Sequence, residues 1–281
     1  MPDLERSRRV KLAEEISLQT PSGQRTKGAS SQRMLKVEAQ EYEIPEGLSL
    51  EIDPVMHEAG GVVDFNLFVE FARKDGRDVR ISRLSVASVA QLEVPTLLMR
   101  WQEGQTDRIL MATFTETGGA SPSPVPSEAL DVLYVDTTLY ESASDASAAR
   151  DAVGRIVFPS RTGQRAKGED YVPVTYEVGG RLADLNTGLT VEIDPALDSA
   201  TRTLDLTASI EFTEEGSGTE RDASGERFPR MEIRRSLCTS ESFKNGDTKT
   251  LPMKLFSLVD TTGQADDWQA VVTYLHHQVG N

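Results

Sequence analysis

The sequence carries one pattern twice. SGQRTKG at residues 22–28 returns as TGQRAKG at residues 162–168, so Gly23 and Gln24 recur 140 positions later as Gly163 and Gln164. GLSLEIDP, from Gly47 to Pro54, returns as GLTVEIDP, from Gly188 to Pro195, at a separation of 141 that implies one inserted residue. VDFNLFVEF at 63–71 lies over LDLTASIEF at 204–212. EGQTDRILMATF at 103–114 lies over NGDTKTLPMKLF at 245–256, setting Gly104 on Gly246, Thr106 on Thr248 and Met111 on Met253. A tandem duplication builds one kind of unit twice. The halves, 1–141 and 142–281, are each long enough to bury a core.

Within each half the apolar residues recur with a period of two. Leu48, Leu50 and Ile52 alternate with Ser49, Glu51 and Asp53, and Leu189, Val191 and Ile193 alternate with Thr190, Glu192 and Asp194. Val63, Phe65, Leu67, Val69 and Phe71 are expected to face inward, with Asp64, Asn66 and Glu70 outward. Such alternation belongs to antiparallel sheets with one wet face. Pro54 and Pro195, lacking a backbone donor, are expected to stop their strands. The segment before each glycine loop reads as a short helix running into a strand, with Asp3 and Ser144 or Asp145 as N-caps and Gly154 ending the second helix. The predicted fold is mainly β: two tandem homologous β-sandwich, immunoglobulin-like modules, each with a short N-terminal α-helix.

Charge and composition narrow the function. Asp and Glu number 45 against 30 Lys and Arg, which disfavours nucleic acid and anionic membrane faces as partners. No apolar run reaches the length of a membrane-spanning helix. The single cysteine, Cys238, excludes an intramolecular disulfide and a thiolate zinc cluster. With His57, His276 and His277 as the only histidines, metal and triad chemistry is short of parts.

Four candidate sites meet structural alternatives. A phosphate loop needs its lysine after the closing glycine and then Ser or Thr, whereas Lys27 and Lys167 precede Gly28 and Gly168, and Glu169 and Asp170 follow the second copy. Glu51, Asp53, Glu192 and Asp194, together with Asp64, Glu70, Asp205 and Glu211, offer oxygen ligands to calcium, but no EF-hand spacing accompanies them. Trp101 and Trp268 are assigned to core packing. His276 and His277, as neighbours on a strand, point to opposite faces and are assigned to the surface, and Cys238 reads as a small buried apolar residue. No cofactor is expected, nor a catalytic residue. Gly23, Gln24, Gly47, Pro54, Gly104, Thr106, Gly163, Gln164, Gly188, Pro195, Gly246 and Thr248 form a repeat motif read as structural.

The order of these motifs, SGQ or TGQ, then GLSLEIDP or GLTVEIDP, then an alternating strand, then EGQT or NGDT, then a closing strand LYVDTTL or AVVTYL, resembles the conserved core of bacterial secretins. Secretins follow their Gly-Thr motif with paired glycines and an aliphatic, proline-bearing stretch, which neither ILMATFTETGG nor LPMKLFSLVDTTG supplies. The resemblance therefore implies a relative that kept the β-core and lost the channel, similar to non-pore proteins carried with type IV pilus or secretion machinery in Verrucomicrobia-like bacteria. It implies pilus or secretin proteins as partners, a periplasmic or outer-membrane-facing home, and a signal peptide already removed. Exposed strand edges would allow partner strands to add, or copies to self-associate. The alternative class is a cell-surface adhesin or glycan-binding β-sandwich.

Overall fold

A computed structural model describes residues 12–37, 42–57, 61–76, 78–103, 106–116, 130–140, 152–178, 181–216, 219–221, 227–229, 232–256 and 264–279. Among them there is no helix, and every strand pairing is antiparallel. The first half contributes β1 (Thr26–Ala29), β2 (Met34–Val37), β3 (Tyr42–Pro45), β4 (Gly47–Met56), β5 (Val62–Asp75), β6 (Asp78–Gln91), β7 (Thr96–Glu103), β8 (Thr106–Ala112) and β9 (Leu130–Tyr140). The second contributes β10 (Ala152–Ser160), β11 (Ala166–Val178), β12 (Arg181–Asp198), β13 (Thr203–Glu215), β14 (Thr219–Arg221), β15 (Arg227–Pro229), β16 (Glu232–Lys244), β17 (Thr248–Phe256) and β18 (Gln264–Val279).

Fourteen strands join one sheet in the order β1-β4-β5-β6-β11-β12-β13-β16-β17-β18-β9-β10-β7-β8. Strands from the two sides of residue 141 share ladders: β6 pairs with β11, β9 with β18, and β10 with both β9 and β7. The ribbon also packs on itself, because β10 lies across β11, with Ile156 and Phe158 over Gly168 and Gly154 against Leu189. One apolar core runs through both halves, joining Phe65, Leu84 and Trp101 to Phe158, Ile193, Leu204 and Phe243.

Two hairpins stand apart from this sheet, β2–β3 and β14–β15. The first closes a second core: Leu35 and Ile44 meet Ala72, Val79, Ile81 and Tyr171. In the second half the corresponding segments run straight on within β11 and β12. In the first half the chain bends at Ser30, whose N–H donates to the Leu48 carbonyl and whose hydroxyl accepts from the Leu48 N–H.

Three expectations are corrected here. Gly154, expected to end a helix, lies inside β10, because β9 and β7 offer that segment ladders on both edges. The remainder of the two expected helices falls on residues 1–11 and 141–151, outside the described residues, while residues 12–20 carry neither helix nor strand. Pro54 and Pro195 do not stop their strands, for β4 continues to Met56 and β12 to Asp198. In a strand, a residue's N–H and C=O point to the same side. Each proline carbonyl accepts from a glycine N–H of the neighbouring turn, so the missing donor lies on that side and spares the ladders to β5 and β13. Glu70, expected on a wet face, is only 7 % exposed. The alternation of β5 holds through Val69, after which its outward face runs toward the patch covered by β2–β3, and Glu70 pairs with Arg83 at 2.6 Å.

Candidate functional site

The repeat motif residues build the same turn twice. In the first copy Gln24 N–H donates to Pro21 O at 3.2 Å, and in the second Gln164 N–H donates to Arg161 O at 3.0 Å. Gly23 and Gly163, at φ 76° and 70°, take the third position of these turns, where a type II turn requires positive φ. Their N–H groups donate to Pro54 O and Pro195 O, both at 2.7 Å. Thr20 and Ser160 hydroxyls donate to the Gln24 and Gln164 carbonyls. Ser22 and Thr162 hydroxyls accept from Met56 and Leu197 N–H groups at 2.9 and 2.8 Å. Cations of the loop are spent internally: Arg25 and Lys27 reach Glu51 at 3.0 and 2.5 Å, and Arg165 reaches Glu192 at 3.2 Å. These loops are latches that hold a strand end, with Arg25, Lys27 and Arg165 each beside a carboxylate.

The remaining motif residues are also architectural. Gly246, at φ 86°, forms the turn between β16 and β17, where Asp247 N–H donates to Lys244 O. Gly246 N–H donates to Tyr274 O, and the hydroxyls of Thr248 and Thr273 meet at 2.9 Å, stitching this turn to β18. Thr106 opens β8 and is exposed, while Gly104 lies outside the described residues. Gly47 and Gly188 sit where their strands cross a neighbour closely, at φ 91° and 146°.

The carboxylates that the sequence offers as calcium ligands are dispersed, and most are engaged. β4 and β12 stand four strand spacings apart in the ladder order, roughly 19 Å along the sheet, so Glu51 and Asp53 lie on a different part of it from Glu192 and Asp194. Asp53 and Asp194 lie opposite Asn66 and Thr207. Asp64 binds His57 Nε2 at 3.0 Å and Arg161, Asp205 accepts from Ser242, and Glu211 faces Arg234 at 3.6 Å. Among the described residues no group of three or more His, Cys, Asp and Glu side chains is placed around one point.

Both tryptophans are 5 % exposed, Trp101 against Phe71 and Trp268 stacked on Phe212 with centroids 5.0 Å apart. The Arg235 guanidinium lies 4.1 Å above the Trp268 ring. Cys238 is exposed on β16, its Sγ 3.6 Å from Ser209 Oγ, which corrects the expectation of a buried thiol. The outward face of β13 and β16 is uncovered there, so a small residue stays in water. His277 is exposed, but the His276 side chain is only 10 % exposed, a correction to its surface assignment.

His276 belongs to a cluster with no sequence signal, because its members lie 71 to 145 residues apart. Its Nε2 sits 2.5 Å from Asp131 Oδ1, which also takes Arg202 Nη1 at 3.2 Å. Arg202 holds a left-handed backbone at φ 55° in the β12–β13 turn. Burial, with Asp131 nearby, pushes the neighbouring Tyr274 phenol up to about 12. A carboxylate, an imidazole and a guanidinium thus tie the tip of one hairpin to the β9–β18 ladder. The His57–Asp64–Arg161 cluster does the same between β5 and the second latch.

A third charged group is buried between β5, β6 and β11. Asp170, 8 % exposed, accepts from Ser82 Oγ at 2.8 Å and Arg80 Nη1 at 3.2 Å. It borders a cleft lined by Arg80, Gln102, Arg155, Asp170, Leu189 and Phe212, whose volume of about 50 Å³ admits a few waters and no organic ligand. Burial raises the Asp170 pKa above the usual carboxylate value, against the lowering effect of Arg80 and Ser82. A raised folded pKa contributes stability at acid pH that is lost as pH rises through it. Asp170→Asn, which keeps an acceptor for Ser82 without the charge, is therefore expected to gain on the native chain as pH rises from 4 to 7. Thermal melts across that range check it, and a gap that shrinks with rising pH contradicts it.

Compared with models of known protein families and with curated protein sequences, the chain matches none of either.

Proposed function

We propose that the chain is a non-enzymatic structural or assembly component of a bacterial type IV pilus or secretion apparatus, at the periplasmic or outer-membrane face. It acts as two tandem homologous modules of β-sandwich, immunoglobulin-like type that dock to pilus or secretin proteins. The observation that carries this reading is the use made of the secretin-like motifs: Gly23, Gly163 and Gly246 form turns, and Pro54 and Pro195 receive latches. Residues shared with a scaffold family serve the scaffold in this reading, and Arg25 and Lys27 are paired with Glu51 as Arg165 is with Glu192. Binding then falls to strand edges and outer faces, where backbone groups and side chains meet a partner directly.

The tagged full chain, used as bait in an envelope extract under mild detergent, is expected to retain secretin or pilus proteins. Retention of neither, with the bait folded, overturns the reading.

A further inference from the structure

The two halves differ in what flanks the segment before their first latch. In the second half this segment is β10, which hydrogen-bonds β9 on one edge and β7 on the other while Ile156 and Phe158, both 0 % exposed, cover Gly168. The equivalent segment, 140 residues earlier, is 12–20. It covers the equivalent glycine in the same way, for a Cβ at Gly28 would meet Leu18 Cδ2 at 2.5 Å and Ile16 Cγ2 at 3.4 Å. The same latch follows it at Gly23. Yet residues 12–20 form no strand, and Leu12 and Leu18 are 73 % and 36 % exposed. Leu50 and Ile52 beneath are half-buried, where their counterparts Val191 and Ile193 are fully buried.

At the other end of the sheet, β8 is the last strand, and among the described residues nothing pairs with its outer edge. Its counterpart β17 has a neighbour on both edges, β16 and β18. Ile109 and Met111 on β8 are each 53 % exposed, and the strand has no proline and no charge beyond Asp107 and Arg108 at its start, so its second half lacks the features that guard natural edges. Among the described residues the sheet thus ends at β8 with an open edge, while residues 12–20 cover Gly28 without joining a ladder.

We infer that residues 12–18 of one copy add to the β8 edge of a second copy, antiparallel, as β10 adds to β7 within the chain. Both stretches are seven residues long, and Leu110 and Ala112 of β8 already pack on the core face that Ile16 and Leu18 would extend. The interface is heterologous, one segment and one edge per copy, so it propagates into a ring or a filament. A net charge of −15 opposes close approach, so association strengthens as salt screens it. Self-assembly needs no envelope protein, so its failure and a failed envelope pull-down are separate results.

Sedimentation velocity of the full chain over a concentration series is expected to show mass rising in multiples of the monomer, more so at higher salt. Ser17→Pro removes a donor from the exposed segment, and Ile109→Lys places a charge on the exposed edge. Each variant alone is expected to be monomeric with an unchanged far-UV spectrum, and an equimolar mixture to form a 1:1 dimer, since each retains the half the other lost. In the native chain, amide exchange at 12–18 and 106–112 should slow as concentration rises, a readout that needs no variant. A native chain that stays monomeric throughout overturns the inference. So does a Ser17→Pro variant that assembles like the native chain, a mixture of folded variants that stays monomeric, or exchange at those segments that ignores concentration.

Discussion

Gly188→Ala is expected to destabilise the fold by about 3–5 kcal/mol, the sum of about 1–3 kcal/mol for overpacking a packed interior and about 1–3 kcal/mol for a side chain at a strained positive φ. Gly188 faces Tyr171 of β11 on one side and Thr213 of β13 on the other, at φ 146°. A Cβ there would lie 2.1 Å from the Asp170 carbonyl oxygen and 2.7 Å from Tyr171 Cα. Those atoms are main chain, so no rotamer relieves the overlap, and the β11–β12 ladder must part. Gly23→Ala is the control: its φ is 76°, but nothing lies within 4 Å of a Cβ. It carries only the cost of a left-handed backbone, about 1–2 kcal/mol. Gly47, the counterpart of Gly188, meets Ser30 Oγ at 2.5 Å, a side chain that can turn away, so Gly47→Ala falls between the two. Urea unfolding of the three variants, read from midpoints at constant m, gives the order. Equal losses for Gly188→Ala and Gly23→Ala would remove the close-approach explanation.

Phe158→Ala is expected to cost about 3–5 kcal/mol, the usual loss for a buried phenylalanine. The ring is 0 % exposed, and its Cδ1 and Cε1 lie 2.9 Å from where a Cβ of Gly168 would stand, which leaves no slack for the site to collapse into. Leu18→Ala, at the corresponding place in the first half, is expected to cost about 1 kcal/mol, because that side chain is partly in water. Both are measured at low protein concentration, where the monomer prevails. Concentrating the protein should widen the Leu18→Ala loss and leave that of Phe158→Ala unchanged, since only the first segment gains cover by association. Equal losses at low concentration would mean that residues 12–18 are already packed as firmly as β10.

Much of the strand pattern was legible in the residues. Alternation in GLTVEIDP and LDLTASIEF told which side chains turn inward, and the strands are where those runs stand. The glycines of SGQ and TGQ read as turn formers, and both have positive φ. The readings that failed depended on what covers a strand or lies beside it. Glu70 is buried because a hairpin closes over that end of its face, Cys238 is exposed because none of the described residues covers it on β16, and Gly154 is in a strand because the β9 ladder reaches it. The Asp131–His276–Arg202 cluster gave no signal, since its members meet only when β9, β18 and the β12–β13 turn converge.

By itself, then, the sequence determined a duplicated, antiparallel β chain with its inward faces and its turns. The tertiary structure alone decided that β10 enters between β9 and β7, that β6 joins β11, and that β8 and residues 12–18 are left over. The reason is physical. Side-chain alternation states which face a strand buries, but ladder hydrogen bonds join main-chain groups that every residue but proline carries in full. The choice of neighbour is therefore written in no motif and emerges only when both halves compete for the same edges.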